Sequence, residues 1–317
     1  MSRLANIYSS LTSNPGYTLM RGLARFETAR ASVSRLREIS HSRRLQSYLE
    51  DMEAQRSKSV FKDIDQENFV RNLRKDGISF GLKLPADIVD GILAWTKDSL
   101  CFADRDVSHG FKFEDRPNAD KALGKPILLG QYFNTLETCN EISDLSQDPV
   151  LLAIAAAYLK SSPTFVGANL WWTFPVNALE ADRTKHAHVF HRDVDDFKFF
   201  KFFFYLTDVP PGEGAHVAVV GSHVDPPKLR KSDPWFIRRY TDAEISDYYP
   251  ADAIKEICGA AGEGFAEDTL CIHKGSTPKT EPRLLLQLQF ALYDHGVMHD
   301  RREPDCLRQV QLGSGEL

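Results

Sequence analysis

The chain changes its hydrophobic rhythm near residue 164. Before that point apolar residues recur at helical spacing. After it they come in short strand-like runs. Residues 18–56 are rich in Leu, Arg, Glu, Ala and Ser, with no Pro and one Gly, and predict one or two helices. The pattern breaks over Lys58–Asp65. A helix is predicted over Gln66–Lys75, then an Asp76-Gly77 turn and a strand over Ile78–Leu84. Pro85 opens a helix to Asp98, with Ile88, Ile92, Leu93 and Trp95 near one face. Residues 101–126 are polar and broken by Asp, Gly and Pro, so they read as a long loop. Asp148-Pro149 predicts an N-cap with Pro at the first helical position, and the helix runs to about Lys160.

Strands are predicted over Thr164–Phe174, Phe197–Asp208, Ala215–Val220, Thr269–His273 and Leu284–Leu292. The six phenylalanines of Phe197–Phe204 suit a strand packed on both faces, with one or two free to line a pocket. An insertion from Asp225 to Glu263 reads as partly helical. Helices first and strands later predict an α+β fold, a β core inside a helical shell. The organisation expected is a helical extension over 1–60, one main domain over 61–300 and a tail over 301–317.

Composition narrows the function. The chain of 317 residues is 42% hydrophobic and 26% charged, in the range of soluble globular proteins. No apolar run approaches the ~20 residues that span a bilayer. The net charge of −5 argues against a nucleic-acid surface. Five cysteines, with no CxxC, argue against a disulfide framework or a thiolate zinc site, and suit a reducing cytoplasm. Residues 1–37 carry six arginines and one acid, Glu27, so a mitochondrial presequence is the alternative address.

The candidate chemistry centres on His191-Arg192-Asp193. Residues two apart on an extended chain share a side, so the imidazole and carboxylate can face one ion. His273 supplies a second imidazole. Two histidines and one carboxylate suit Fe(II) and leave positions open for a co-substrate and O2. Ten residues after His273, Arg283 opens a strand. Its always-charged planar fork suits the far carboxylate of 2-oxoglutarate. Each piece has an ordinary reading as well: HxD arises by chance, and a lone histidine is more often structural than ligating. His186 and His188 offer alternative ligands in HAHVFHRD, for iron or for zinc.

In order and spacing, these pieces resemble the phytanoyl-CoA dioxygenase family of Fe(II)/2-oxoglutarate oxygenases. The resemblance rests on His191-Arg192-Asp193, on Tyr205-Leu206-Thr207-Asp208-Val209, and on Gly212-Glu213-Gly214 followed by Gly221-Ser222-His223. His273, Arg283 and the opening Lys75-Asp76-Gly77-Ile78 extend it over roughly 66–293. It implies a double-stranded β-helix (a jelly roll, cupin-like) with flanking helices. It implies iron on His191, Asp193 and His273, and the 2-oxoglutarate C5 carboxylate on Arg283. The activity implied is oxidation of a small organic molecule, with O2 consumed and succinate and CO2 released. Asp193 stands where related halogenases lack a carboxylate, which favours hydroxylation. Phe190 and Val220 depart from the family pattern without touching a ligand.

Alternation adds candidates. Gln287 shares a face with Arg283, and Asn169 with Trp171. Gln287 and Asn169 are expected at the co-substrate; Trp171 and His188 are expected toward substrate. The Trp171-Trp172 pair and the phenylalanine strand suggest an apolar or aromatic substrate moiety. His223 reads as a hydrogen-bonding structural residue, and His295 and His299 as surface histidines. A jelly-roll binding protein without turnover, or a hydrolase using His186, His188 and His191, are the alternatives.

Overall fold

A computed structural model describes residues 14–177, 180–224, 239–297 and 300–312. The first 13 residues, residues 225–238 of the insertion, and His299 lie outside them.

Helices of the first 160 residues form the shell, but residues 78–132 also give four strands to the core sheet. Helices Pro15–Leu23 and Glu27–Ala54 form the N-terminal part of the shell. The Gln66–Asp76 helix is capped by the Asp65 side chain and stopped by Gly77 in the left-handed region, φ 74°. Helix Pro149–Leu159 is apolar all round because it is covered on two sides. The Glu27–Ala54 helix packs on it, and it enters the main core cluster, with Tyr158 against Phe200 at 5.1 Å between ring centroids. Among the described residues no helix is long and apolar enough to cross a membrane.

Among the described residues the core is eleven strands: β1 Ile78–Lys83, β2 Cys101–Ala103, β3 Gly110–Phe111, β4 Leu129–Tyr132, β5 Thr164–Thr173, β6 Phe199–Tyr205, β7 His216–Val219, β8 Ile254–Ile257, β9 Glu263–Glu267, β10 His273–Gly275 and β11 Arg283–Ala291. Eight form a sheet in the order β1-β9-β6-β11-β5-β4-β2-β3, and three form a second sheet, β10-β7-β8. All of these pairings are antiparallel.

The large sheet separates its two faces by strand alternation. On β6, Phe200, Phe202 and Phe204 join the cluster under the helices, and on β11 so do Leu284, Leu286, Leu288 and Phe290. The opposite face presents Phe203, Tyr205 and Leu285, which pack with Ala218 and Ile257 of the small sheet. Two antiparallel sheets closing over a shared interior make a jelly roll.

Several predicted boundaries move. Residues 101–126 are not a loop: they hold β2, β3 and the Arg116–Leu123 helix. Strands of two and three residues are too short to show a period, and their Asp and Gly turns dominate the pattern. The strand expected over Thr269–His273 resolves into β9, a turn and β10, because Asp268 accepts from Leu270 N through its side chain and from Cys271 N through its carbonyl. In the insertion, the described part carries a helix at Asp242–Tyr248 and strand β8. The 300–312 segment pairs with the β2–β3 hairpin: Gly110 donates to the Arg308 carbonyl, and Arg308 to that of Val107.

Candidate metal centre

His191 and His273 are brought together by backbone. They form an isolated antiparallel bridge, each N–H donating to the other's carbonyl at 2.9 Å. The imidazole centroids lie 4.3 Å apart. Asp193 is fixed by its own N–H, which donates to the Thr269 carbonyl at 2.9 Å. Its carboxylate oxygens lie 3.6 Å from His191 Nε2 and 3.6 Å from His273 Nε2. One ligand atom from each of the three falls within 4.8 Å of the others. Among the described residues these three are the His, Cys, Asp and Glu side chains that converge in this way.

The second nitrogens settle the orientation. His191 Nδ1 lies 3.0 Å from the Val189 carbonyl, and His273 Nδ1 lies 2.9 Å from the Cys271 carbonyl. A carbonyl only accepts, so each Nδ1 carries a proton and each Nε2 is the nitrogen turned toward Asp193. Both rings are buried, at 8% and 5% exposure. Burial, then the His273 ring, pushes the His191 pKa well below the ordinary value, so it stays neutral.

Lys201 completes the electrostatics. Its ammonium donates to Asp193 Oδ2 at 2.6 Å and lies 3.2 Å from Asp195 Oδ2. Burial alone would raise the Asp193 pKa. The Lys201 ammonium outweighs it and holds the carboxyl well below its ordinary range. Behind the ring of His273, Glu267 is fully buried, 3.8 Å from its Nδ1 and 2.6 Å from His216 Nε2.

These side chains line a cavity of about 320 Å³ between the sheets. Asn169, Trp171, Lys201, Phe203, Arg283, Leu285, Gln287 and Gln289 reach it from alternate positions of β5, β6 and β11. Register sets the rows: Gln287 stands opposite Asn169 and Phe203, and Arg283 opposite Thr173. Gln287, Asn169, Trp171 and His188 therefore all reach the cavity, as does Arg283.

Arg283 is 2% exposed. Its guanidinium donates to the Gly214 carbonyl and, at 2.9 Å, to Thr173 Oγ1, while its buried Nε has no partner. No carboxylate pairs with it among the described residues. A buried cation without an anion is costly, and the cavity is where one could sit.

His186 and His188 also line the cavity, but neither joins the convergent ligand set. His186 Nε2 lies 3.5 Å from Asp104, and His188 Nδ1 lies 2.8 Å from Thr277 Oγ1. Burial first, and for His188 then Arg283, lowers their pKa values to about 4 and about 3. The alternative set of His186, His188 and His191 does not converge. His223 is structural as expected, its Nε2 3.1 Å from the Arg74 carbonyl. His295 is not a free surface residue: it is 3.2 Å from buried Asp196.

Charged side chains at or beside the cavity that escaped the sequence reading include Lys201, Asp195, Glu267, Arg105 and Arg302. Lys201 had a usable signal, a lysine on the same face as Phe199, Phe203 and Tyr205 in an otherwise apolar strand. Arg105 and Arg302 sit in segments read as loop and tail.

No family model and no curated protein matches the chain. Solved structures do. The epimerase SnoN from nogalamycin biosynthesis, in complex with Fe3+, alpha ketoglutarate and nogalamycin RO, aligns at a TM-score of 0.51 and 17% identity. That alignment covers 79% of this chain and 96% of SnoN. HygX from Streptomyces hygroscopicus, with nickel and 2-oxoglutarate bound, aligns at 0.49 and 14% identity, over 71% of this chain and 86% of HygX. The likeness to SnoN establishes the fold. It is the jelly roll with flanking helices that the chain was expected to form.

Proposed function

We propose that the protein is an Fe(II)/2-oxoglutarate-dependent oxygenase acting on a small organic molecule. One observation carries this reading. Three convergent ligands, His191, Asp193 and His273, share a cavity with a buried arginine that has no anionic partner among the described residues. Two imidazoles and a carboxylate fit ferrous iron and leave coordination positions open. Arg283 fits the far carboxylate of 2-oxoglutarate, which would fill its unmet hydrogen-bonding capacity. That SnoN is solved with iron and the same keto acid agrees with the assignment.

His191, Asp193 and His273 hold the iron, and Arg283 anchors the co-substrate. Gln287 and Asn169, opposite one another across β11 and β5, offer amides to it. Trp171 and His188 face the substrate. With iron, 2-oxoglutarate and O2 bound, the centre would supply the power to oxidise a C–H bond, releasing succinate and CO2; hydroxylation is the reaction we favour. The chain's own work is to present the Nε2 lone pairs, keep Asp193 ionised and exclude water from a buried site.

The test is a paired binding and turnover measurement. Iron-loaded protein should convert 2-oxoglutarate to succinate when its substrate is supplied from a metabolite panel. Arg283→Ala should weaken 2-oxoglutarate binding at least tenfold and leave Mn(II) affinity within twofold. Unchanged 2-oxoglutarate affinity in that variant would remove the assignment.

A further inference from the structure

The cavity is more cationic than the proposed reaction requires. Its lining carries Arg105, Lys201, Arg283 and Arg302 against Asp193 and Asp195. A divalent ion and dianionic 2-oxoglutarate cancel each other. Lys201 and Arg283 then balance the two aspartates. Arg105 and Arg302 are left over, two positive charges in one recess.

Among the described residues, no carboxylate forms an ion pair with Arg105 or Arg302. Arg302 Nη1 donates to the neighbouring Arg301 carbonyl at 2.6 Å, and its guanidinium lies 4.6 Å over the Phe133 ring. Arg105 is exposed at the rim, within electrostatic reach of both Arg302 and Asp193. Two like charges held together are unfavourable unless an anion joins them.

The placement is built rather than incidental. Asp104 and Arg105 both have left-handed backbone, φ 52° and 67°, which non-glycine residues rarely adopt. Buried Asp104 locks the turn: its carboxylate binds Lys125 and accepts from Leu129 N, and its own N–H donates to the Leu129 carbonyl. The segment bearing Arg302 is pinned on both sides, by Asn134 Nδ2 to the Arg302 carbonyl and by Arg302 N to Asn134 Oδ1, each 2.8 Å. Beside them His186 is buried with neither ring nitrogen hydrogen-bonded, and it lines both this cavity and an outer cleft shared with Arg105 and Lys185.

We propose that the substrate carries an anionic group, a carboxylate or phosphate, and that Arg105 and Arg302 clamp it at the mouth of the cavity. This rests on the oxygenase reading and adds the substrate class to it. It also moves emphasis from an apolar moiety to an acidic one, with Phe133 and Trp171 left to contact the rest of the molecule.

The test is calorimetric titration with phenyl phosphate and benzoate, using benzamide as the neutral control. Mn(II)-loaded protein with saturating 2-oxoglutarate keeps Arg283 occupied. The same titrations on Arg283→Ala, without metal or keto acid, give a reading whether or not the chain is an oxygenase. One acid should bind per chain, at least tenfold tighter than benzamide, and the tighter of the two acids identifies the group. Arg105→Asn combined with Arg302→Gln should lower acid affinity at least tenfold. Asparagine tolerates the left-handed backbone at 105, and Arg105→Lys, which should retain part of the affinity, guards against a folding defect. Acid and amide binding equally, or the double variant binding acid unchanged, would overturn the clamp. Acid binding that needs Arg105 and Arg302 in a chain that binds no 2-oxoglutarate would spare the clamp and sink the oxygenase reading.

Discussion

Lys201 Nζ lies 2.6 Å from Asp193 Oδ2, so the carboxylate assigned to the metal already has a buried cationic partner. The ammonium has two effects. It keeps Asp193 ionised, and it repels a divalent ion arriving at the same oxygen. Burial lowers the lysine's own pKa, but Asp193 and Asp195 outweigh that and raise it, so it stays charged.

At this separation the repulsion dominates, because two buried charges interact across several ångströms of low-dielectric medium. Lys201→Met should therefore bind Mn(II) at least tenfold more tightly, equivalent to about 1.4 kcal/mol. Competition against a chromophoric chelator measures this. Equal or weaker affinity would show that Lys201 serves mainly to hold Asp193 in place.

Gly77 connects the helical shell to the centre. Its φ is +74°, and a Cβ there would lie 2.3 Å from Cys271 Sγ and 2.6 Å from His223 Nδ1. Cys271 is also the residue whose carbonyl orients His273. Gly77→Ala should destabilise the fold by about 2–4 kcal/mol, from backbone strain and overpacking together. Metal affinity should fall with it. Urea unfolding and Mn(II) titration on the same sample check both.

What the sequence disclosed follows from period and length. β5, β6 and β11 are seven to ten residues long, enough for alternation to place Arg283 with Gln287 and Asn169 with Trp171. The HxD lies outside the strands and His273 opens one of three residues, so these two, followed by Arg283, were legible because their order resembles a known pattern. The Arg105 hairpin was not, since β2 and β3 span three and two residues. Arg302 depends on a tail that pairs with a hairpin some two hundred residues away, and nothing local announces that contact. Lys201 was visible, but a lysine in an apolar run reads as an interruption until its partner is known.

Acid should weaken the fold through three histidines that are not metal ligands. Burial, the largest cause in each, lowers His186 to about 4 and His188 and His216 to about 3. An unfolded histidine takes its proton near 6.5. Between that value and about 3 to 4 the unfolded chain binds more protons, so stability is full above about pH 6.5 and falls as pH drops through this window. Each group contributes up to about 2 kcal/mol of loss by pH 5. Urea midpoints of metal-free protein at pH 7.5 and 5 should show the drop, and His188→Gln should reduce it. A midpoint that does not move would mean these imidazoles are solvated in the folded state.

In an oxygenase of this kind the keto acid and the metal share one site. Anaerobic calorimetry of 2-oxoglutarate into Fe(II)-loaded protein measures that directly. One molecule should bind per chain, at least tenfold more tightly than to metal-free protein, and His191→Ala or Asp193→Ala should erase the difference. Affinity indifferent to iron, or no binding at all, would contradict the assignment.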